Sequence, residues 1–166
     1  MKFTFGSDPE FMLSKNGKIY SAIGIVKGTR EHRKKIGKHA AYYDNVMAEC
    51  AVAPAKTKDA AIATIQDCLQ QYAKLVAPYR LETLAAHHFD PDQLRHPEAV
   101  KIGCSPETCV YAMHDIEPEK DTFKTTNLRT AGGHIHLGAK LLKDGVNGDV
   151  AILLLDLFLG LPSLFI

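Results

Sequence analysis

The chain reads as an α+β protein: strands, two of them joined as a hairpin, with helical structure packed against their sheet. Three observations predict this. Short stretches alternate apolar and polar residues at the two-residue period of a half-buried strand, around Phe3, Phe5 and Phe11, around Ile19, and over residues 42–50 and 129–138. Two of those stretches flank Asn16-Gly17, a dipeptide suited to a tight hairpin. A single long segment, residues 57–76, has helical periodicity instead.

In chain order, a strand beginning at Phe3-Thr4-Phe5 runs through Gly6-Ser7-Asp8-Pro9-Glu10 toward the hairpin. Proline has no N–H to give a ladder, so Asp8 and Glu10 are expected at a bulge or a sheet edge, both carboxylates facing the same way. Residues 27–39 form a basic loop, with Lys27, Arg30, Arg33, Lys34, Lys35 and Lys38 against Glu31. Such a run is a solvated face or, more sharply, a phosphate-contacting loop. Residues 42–50 read as one strand, with Asn45, Met47 and Glu49 on one face and Asp44, Val46, Ala48 and Cys50 on the other. Glu49, followed by Ala51-Val52-Ala53, is expected to be buried and to need a partner.

Thr57 can cap the helix, Asp59 suits its positive end and Pro78 stops it, leaving Ile62, Ile65, Leu69, Tyr72 and Val76 as the apolar stripe. Residues 87–101 read as loop with one turn of helix, 102–111 as turn then strand, and 114–120 as polar loop. In Arg129-Thr130-Ala131-Gly132-Gly133-His134-Ile135-His136-Leu137-Gly138 the two histidines share one strand face, bracketed by glycines where the backbone bends or a ligand comes close. A last helix starts near Asn147; it is apolar nearly all round and is expected inside the protein.

With 166 residues, one domain is expected, and 46% hydrophobic against 23% charged residues is enough to bury a core. The net charge of +1 gives no bulk attraction for nucleic acid or an anionic membrane. Asp8 and Glu10 precede any long apolar run, so no signal peptide is read, and the run at 150–155 is too short to span a bilayer. Cys50, Cys68, Cys104 and Cys109 lack zinc-site spacing and are read as reduced, packing residues, which places the chain in the cytoplasm. The apolar stretch 150–166 is expected to dock on this domain or a partner, or to belong to something longer.

Asp8 with Glu10, Glu49 with Asn45, and His134 with His136 thus offer polar groups from three strands to one sheet face. Carboxylate oxygens suit hard cations such as Mg²⁺ or Mn²⁺, and the imidazoles leave Zn²⁺ open.

Four motifs occur in order: Gly6-Ser7-Asp8-Pro9-Glu10-Phe11, Tyr43-Asp44-Asn45-Val46-Met47-Ala48-Glu49, Gly103-Cys104-Ser105-Pro106, and Gly132-Gly133-His134-Ile135-His136-Leu137-Gly138. Together they resemble the phage-encoded carboxylate–amine ligases (amidoligases, type 2), distant relatives of glutamate–cysteine ligase and glutamine synthetase. The resemblance implies a glutamine synthetase-like domain: an antiparallel sheet curved around a cavity, with helices on its outer face, residues 1–166 being the N-terminal portion of one such domain. It implies ATP and Mg²⁺ or Mn²⁺ as cofactors and a small-molecule or peptide carboxylate and an amine as substrates; from the charge and the short apolar run, neither nucleic acid nor membrane is expected as a partner. Asp8, Glu10, Glu49 and His134 match metal positions. Glu10, Glu49 and Arg129 are the catalytic candidates, and His136, Arg129 and Asn45 the candidates for nucleotide or substrate contact.

In such ligases a further acid and further arginines follow the last apolar helix. A complementing polypeptide or an oligomer formed through the apolar C-terminus is therefore also expected. Two rivals stand beside the ligase: a catalytically incomplete, ligase-like module that binds nucleotide or a second chain, and a zinc-dependent hydrolase built on His134, His136 and a carboxylate. Against the hydrolase, His32, His39, His87, His88, His96 and His114 are read as loop residues.

Overall fold

The computed structural model describes residues 2–101, 126–143 and 145–164, with the backbone pairing of 108–109 to 114–115. The motif at 103–106, Cys104, Glu107 and the expected polar loop after 115 lie outside the described residues. The architecture is α+β, and the sheet is antiparallel and curled into a half-barrel.

Its axis is β1 (Phe3–Lys15), 13 residues long and central rather than marginal. The Asn16-Gly17 turn, with φ of 52° and 76°, returns the chain into β2 (Lys18–Tyr20), so the expected hairpin forms. Next come β3 (Lys34–Ile36), β4 (His39–Asp44) and β5 (Met47–Ala55), giving the order β11-β1-β5-β4-β3 once β11 (Gly133–Ala139) has paired with β1. Pro9 is inside this central strand, and the one register shift falls between Phe5 and Ser7. The sheet tolerates it because neighbouring residues of an antiparallel strand address opposite partners. Glu10 N–H donates to Gly132 O (3.0 Å), so the bond missing at Pro9 is one toward β5.

Residues 42–50 are not one strand. The dipeptide Asn45-Val46 turns β4 into β5, with Asn45 at φ 52°. Opposed residues of a hairpin share a face, so Asp44, opposite Met47, lies on the side of Glu49 rather than across from it. A hairpin turn in the middle of an alternating stretch resets the parity of everything before it.

The helix α1 (Lys58–Val76) is capped by Thr57, whose hydroxyl accepts from Ala60 N–H (3.2 Å). Cys68, Tyr72 and Val76 pack on Phe11, Leu13, Ala41, Ala48, Cys50 and Val52, the alternate residues of β1, β4 and β5. Ile65 and Leu69 flank this core as expected, whereas Ile62 is exposed and Thr64 is buried. The buried stripe is thus rotated slightly from the expected one.

After α1, β6 (Arg80–Glu82) and β7 (Ala86–His88) lead to two short 3₁₀ turns, Pro91–Leu94 and Pro97–Val100. Segments β8 (Thr108–Cys109) and β9 (His114–Asp115) pair with each other, and β10 (Leu128–Thr130) pairs with β7 before the chain enters β11. His39, His87, His88 and His114 are therefore strand residues, not loop residues. Phe89 and Ala99 cover Met12, Val46 and Met47 at one end of the sheet face opposite α1.

The last helical segment departs most from expectation. The helix α2 (Gly145–Leu155) continues through a π-helical turn (Asp156–Gly160) into α3 (Leu161–Ser163), and not one residue of it is buried. Counted as a continuous helix, Gly145–Ser163 has 19 residues and is long and apolar enough to cross a membrane. The uninterrupted run 150–155 understates it, because Gly145, Asn147, Gly148, Asp149 and Asp156 break the run but not the helix.

Candidate metal centre

The strand register assembles the polar face residue by residue. Asp8, Glu10 and Met12 alternate along β1 on the side away from α1. Glu49 on β5 is directly opposite Glu10, and Tyr42 on β4 is directly opposite Glu49. On the other flank of β1, His134 is opposite Asp8 and His136 is opposite Gly6. Asp8, Glu10, Glu49, His134 and His136 thus share one face of the sheet.

Within that face three carboxylates converge. Oxygens of Glu10, Asp44 and Glu49 lie within 4.8 Å of one another, each from a different strand. Glu49 is 5% exposed, and its Oε1 accepts from the Tyr42 hydroxyl (2.8 Å). Glu10 Oε2 accepts from Gly132 N–H (2.8 Å), so the glycine-bracketed segment brings its backbone against this carboxylate. Asp44 faces Arg30 at 3.5 Å.

Burial pushes the Glu49 carboxyl up to about 7, and Glu10, Asp44 and Asp8 add to the rise against the opposing hydrogen bond from Tyr42. Asp44 is raised mainly by burial and partly restored by Arg30. Tyr42 is also pushed up, by burial first and then by its bond to Glu49. Three acids held this close repel one another unless a proton or a cation lies among them. An all-oxygen set with rigid strand backbones fits a hard divalent ion such as Mg²⁺ or Mn²⁺.

Asp8 and the histidines form a second group beside the three acids. His136 Nε2 contacts Asp8 Oδ2 at 3.0 Å, and the rings of His134 and His136 have centroids 6.3 Å apart. Both histidines are exposed.

Two expected cofactor contacts have a different placement. Arg129 is 2% exposed, and its guanidinium donates to the carbonyls of Ala99, Thr126 and Leu128 and to Asn45 Oδ1 (3.2 Å). Asn45 in turn accepts from Val46 N–H and donates to Lys101 O, both at 2.8 Å. Together they brace the hairpin tip that carries Asp44.

Sequence reasoning placed Asp44 on the wrong face and gave Tyr42 no role. It left Arg30 and Arg33 as unsorted members of a basic run. The signal for Asp44 was Asp44-Asn45 itself, since asparagine readily takes the positive φ that a two-residue turn demands. Arg33 covers the Tyr42 ring with its guanidinium carbon 4.4 Å from the centroid, a contact that no spacing rule reveals.

Comparison with family models, curated proteins and solved structures finds no match for this chain, so similarity assigns it to no family.

Proposed function

We propose that this chain carries the divalent-cation centre of an ATP-dependent carboxylate–amine ligase, with Glu10, Asp44 and Glu49 as the principal oxygen donors. The observation that carries this reading is the approach of three carboxylates from β1, β4 and β5 to within 4.8 Å of one another. The order of motifs along the chain supplies the reaction class, and the all-oxygen donor set is compatible with it.

In that reaction a carboxylate, itself a poor electrophile, takes a phosphoryl group from ATP. The resulting acyl phosphate is attacked by an amine, giving an amide and releasing phosphate. Mg²⁺ or Mn²⁺ would supply charge neutralisation at the phosphates. The residues of the chain have the remaining work. Glu10 is fixed by Gly132 N–H, and Glu49 by the Tyr42 hydroxyl, so neither needs to reorganise to receive a cation. Asp8 with His136, and His134 next to them, provide a flanking set for a further ion or for substrate. Arg129 and Asn45 serve by holding the Asp44 turn in place.

The test is a titration of Mn²⁺ followed by electron paramagnetic resonance, alongside Mg²⁺-dependent ATP consumption. Glu10→Gln is expected to weaken Mn²⁺ binding at least tenfold and to abolish any ATP consumption. Unchanged Mn²⁺ affinity in this variant would refute the centre. Tight Zn²⁺ bound through His134 and His136 in place of Mn²⁺ would favour the hydrolase.

One observation favours a second reading, in which the chain is a ligase-like module completed by another polypeptide or copy. The apolar helix Gly145–Ser163, none of whose residues is buried, is a surface that association would cover. ATP binding without turnover by the chain alone, with turnover restored by a partner, would support it.

A further inference from the structure

The basic segment 27–39 does not float free of the sheet. Gly28 O accepts from Tyr43 N–H (3.0 Å), and a β-carbon at Gly28 would lie 2.2 Å from Ala41 O, so only glycine lets the segment come this close. Six residues later Lys34 joins the ladder opposite Ala41. Between these tethers, residues 29–32 close a compact turn: Thr29 N–H donates to His32 O, and His32 N–H to Thr29 Oγ1, both at 3.1 Å. Both ends of the turn are anchored on β4, the strand that supplies Tyr42 and Asp44.

Among the six basic residues of the segment, Arg30 and Arg33 reach the acidic face, whereas Lys38 pairs with Asp67 on α1 at 3.8 Å. The Arg33 guanidinium sits over the face of the Tyr42 ring, a contact that needs none of its N–H groups. Among the described residues those N–H groups have no acceptor. The ring beneath it carries the hydroxyl bonded to Glu49. A planar fork is thus held by stacking one side chain away from a candidate metal ligand, with Arg30 beside it on Asp44.

Taking the cation centre proposed above as given, we propose that Arg33, supported by Arg30, binds a phosphoryl group bridging from the cation to the guanidinium. The chemistry is complementary at both ends. The acids repel a free anion, so a phosphate arrives only with the cation; once there, its outer oxygens match the paired N–H donors of a guanidinium. Stacking on Tyr42 fixes the fork before the ligand arrives, which lowers the entropy cost of binding.

The experiment uses the intact chain with Mn²⁺ and inorganic phosphate as probes. Mn²⁺ affinity is read by electron paramagnetic resonance, and phosphate affinity by paramagnetic broadening of the phosphorus resonance. Arg33→Gln is expected to leave Mn²⁺ affinity within about twofold and to weaken phosphate binding tenfold or more, as for loss of a charge-assisted hydrogen bond. Arg33→Lys, which keeps the charge without the fork, should recover only part of the loss. Phosphate affinity unchanged in Arg33→Gln at normal Mn²⁺ affinity overturns this inference and leaves the cation centre standing. Failure of the unmodified chain to bind Mn²⁺ overturns both. Acetate competing as well as phosphate would show that the fork takes a carboxylate, and would overturn the phosphoryl assignment.

Discussion

Glu49 is the residue on which most depends, because it is both the most buried acid of the cluster and the one most crowded by other acids. Its ordinary value is 4.5 and its folded value about 7, so the folded chain keeps a proton that the unfolded chain has already released. The stability contributed by that proton is complete below about 4.5 and is lost as pH rises through 7. The loss amounts to about 3 kcal/mol in the absence of a cation. Urea unfolding across this range should therefore show falling stability in chelator, and Mn²⁺ should restore it most strongly above pH 7, where the carboxylate no longer has to shed a proton to bind. Glu49→Gln keeps the shape and the acceptor for Tyr42 but has nothing to titrate. It is expected to flatten the pH dependence and to remove the stabilisation by Mn²⁺. A variant that keeps both would show that Glu49 is neither strained nor a ligand.

At the scale of elements, the β4–β5 hairpin is the device that brings Asp44 and Glu49 into one candidate site. Its two-residue turn costs little because asparagine tolerates φ 52°, and the Asn45 side chain then bonds to Val46 N–H, Lys101 O and Arg129 Nε. Replacing Asn45 with alanine removes those bonds, leaves the buried Arg129 with one acceptor fewer, and puts a β-carbon at positive φ without compensation. We expect a destabilisation of about 3 kcal/mol by urea unfolding, with weaker Mn²⁺ binding as the Asp44 end of the hairpin loosens. Asn45→Gly should recover about 1 kcal/mol of this, the backbone share. Equal losses in the two variants would mean that the side-chain bonds alone matter. Much of the element scale was legible beforehand. The Asn16-Gly17 hairpin, the Thr57 cap and the end of α1 near Pro78 are set by residues within a few positions of each other. The second hairpin was missed because Asn45-Val46 lacks the glycine that marks the first.

The whole molecule presents a contrast between a packed sheet and an unpacked helix. Core side chains of β1, β4, β5 and α1 exclude solvent almost fully, while Val146, Leu157, Phe158, Leu161 and Leu164 are all more than half exposed. Asp149 and Asp156 are seven residues apart and so lie on one side of the helix, which leaves the rest of its circumference apolar beyond Asn147 in the first turn. The chain is expected to self-associate in a concentration-dependent way, and sedimentation velocity should show the association relieved by mild detergent. Replacing Leu157 and Phe158 together with glutamate should leave the urea midpoint unchanged, since neither is buried, and shift the population toward monomer. A monomeric unmodified chain at high micromolar concentration would contradict this.

Local chemistry determined the parts. Two-residue alternation placed Asp8 with Glu10, and His134 with His136, on common faces, because side-chain direction along a strand depends on nothing beyond the strand. The same rule told nothing about which strands are neighbours. That Glu10 opposes Glu49, that Asp44 turns toward them rather than away, and that Arg33 covers Tyr42 all depend on register and on a turn, which side-chain packing across the sheet decides. Tertiary structure also gave different surroundings to two residues that looked alike in sequence. Arg129, beside the histidines in the chain, is spent on backbone carbonyls, while Arg33, far away in the chain within a basic run, lies over the Tyr42 ring. Charge is written in the sequence, but whether it is used up inside or offered to a ligand depends on what the fold places within reach.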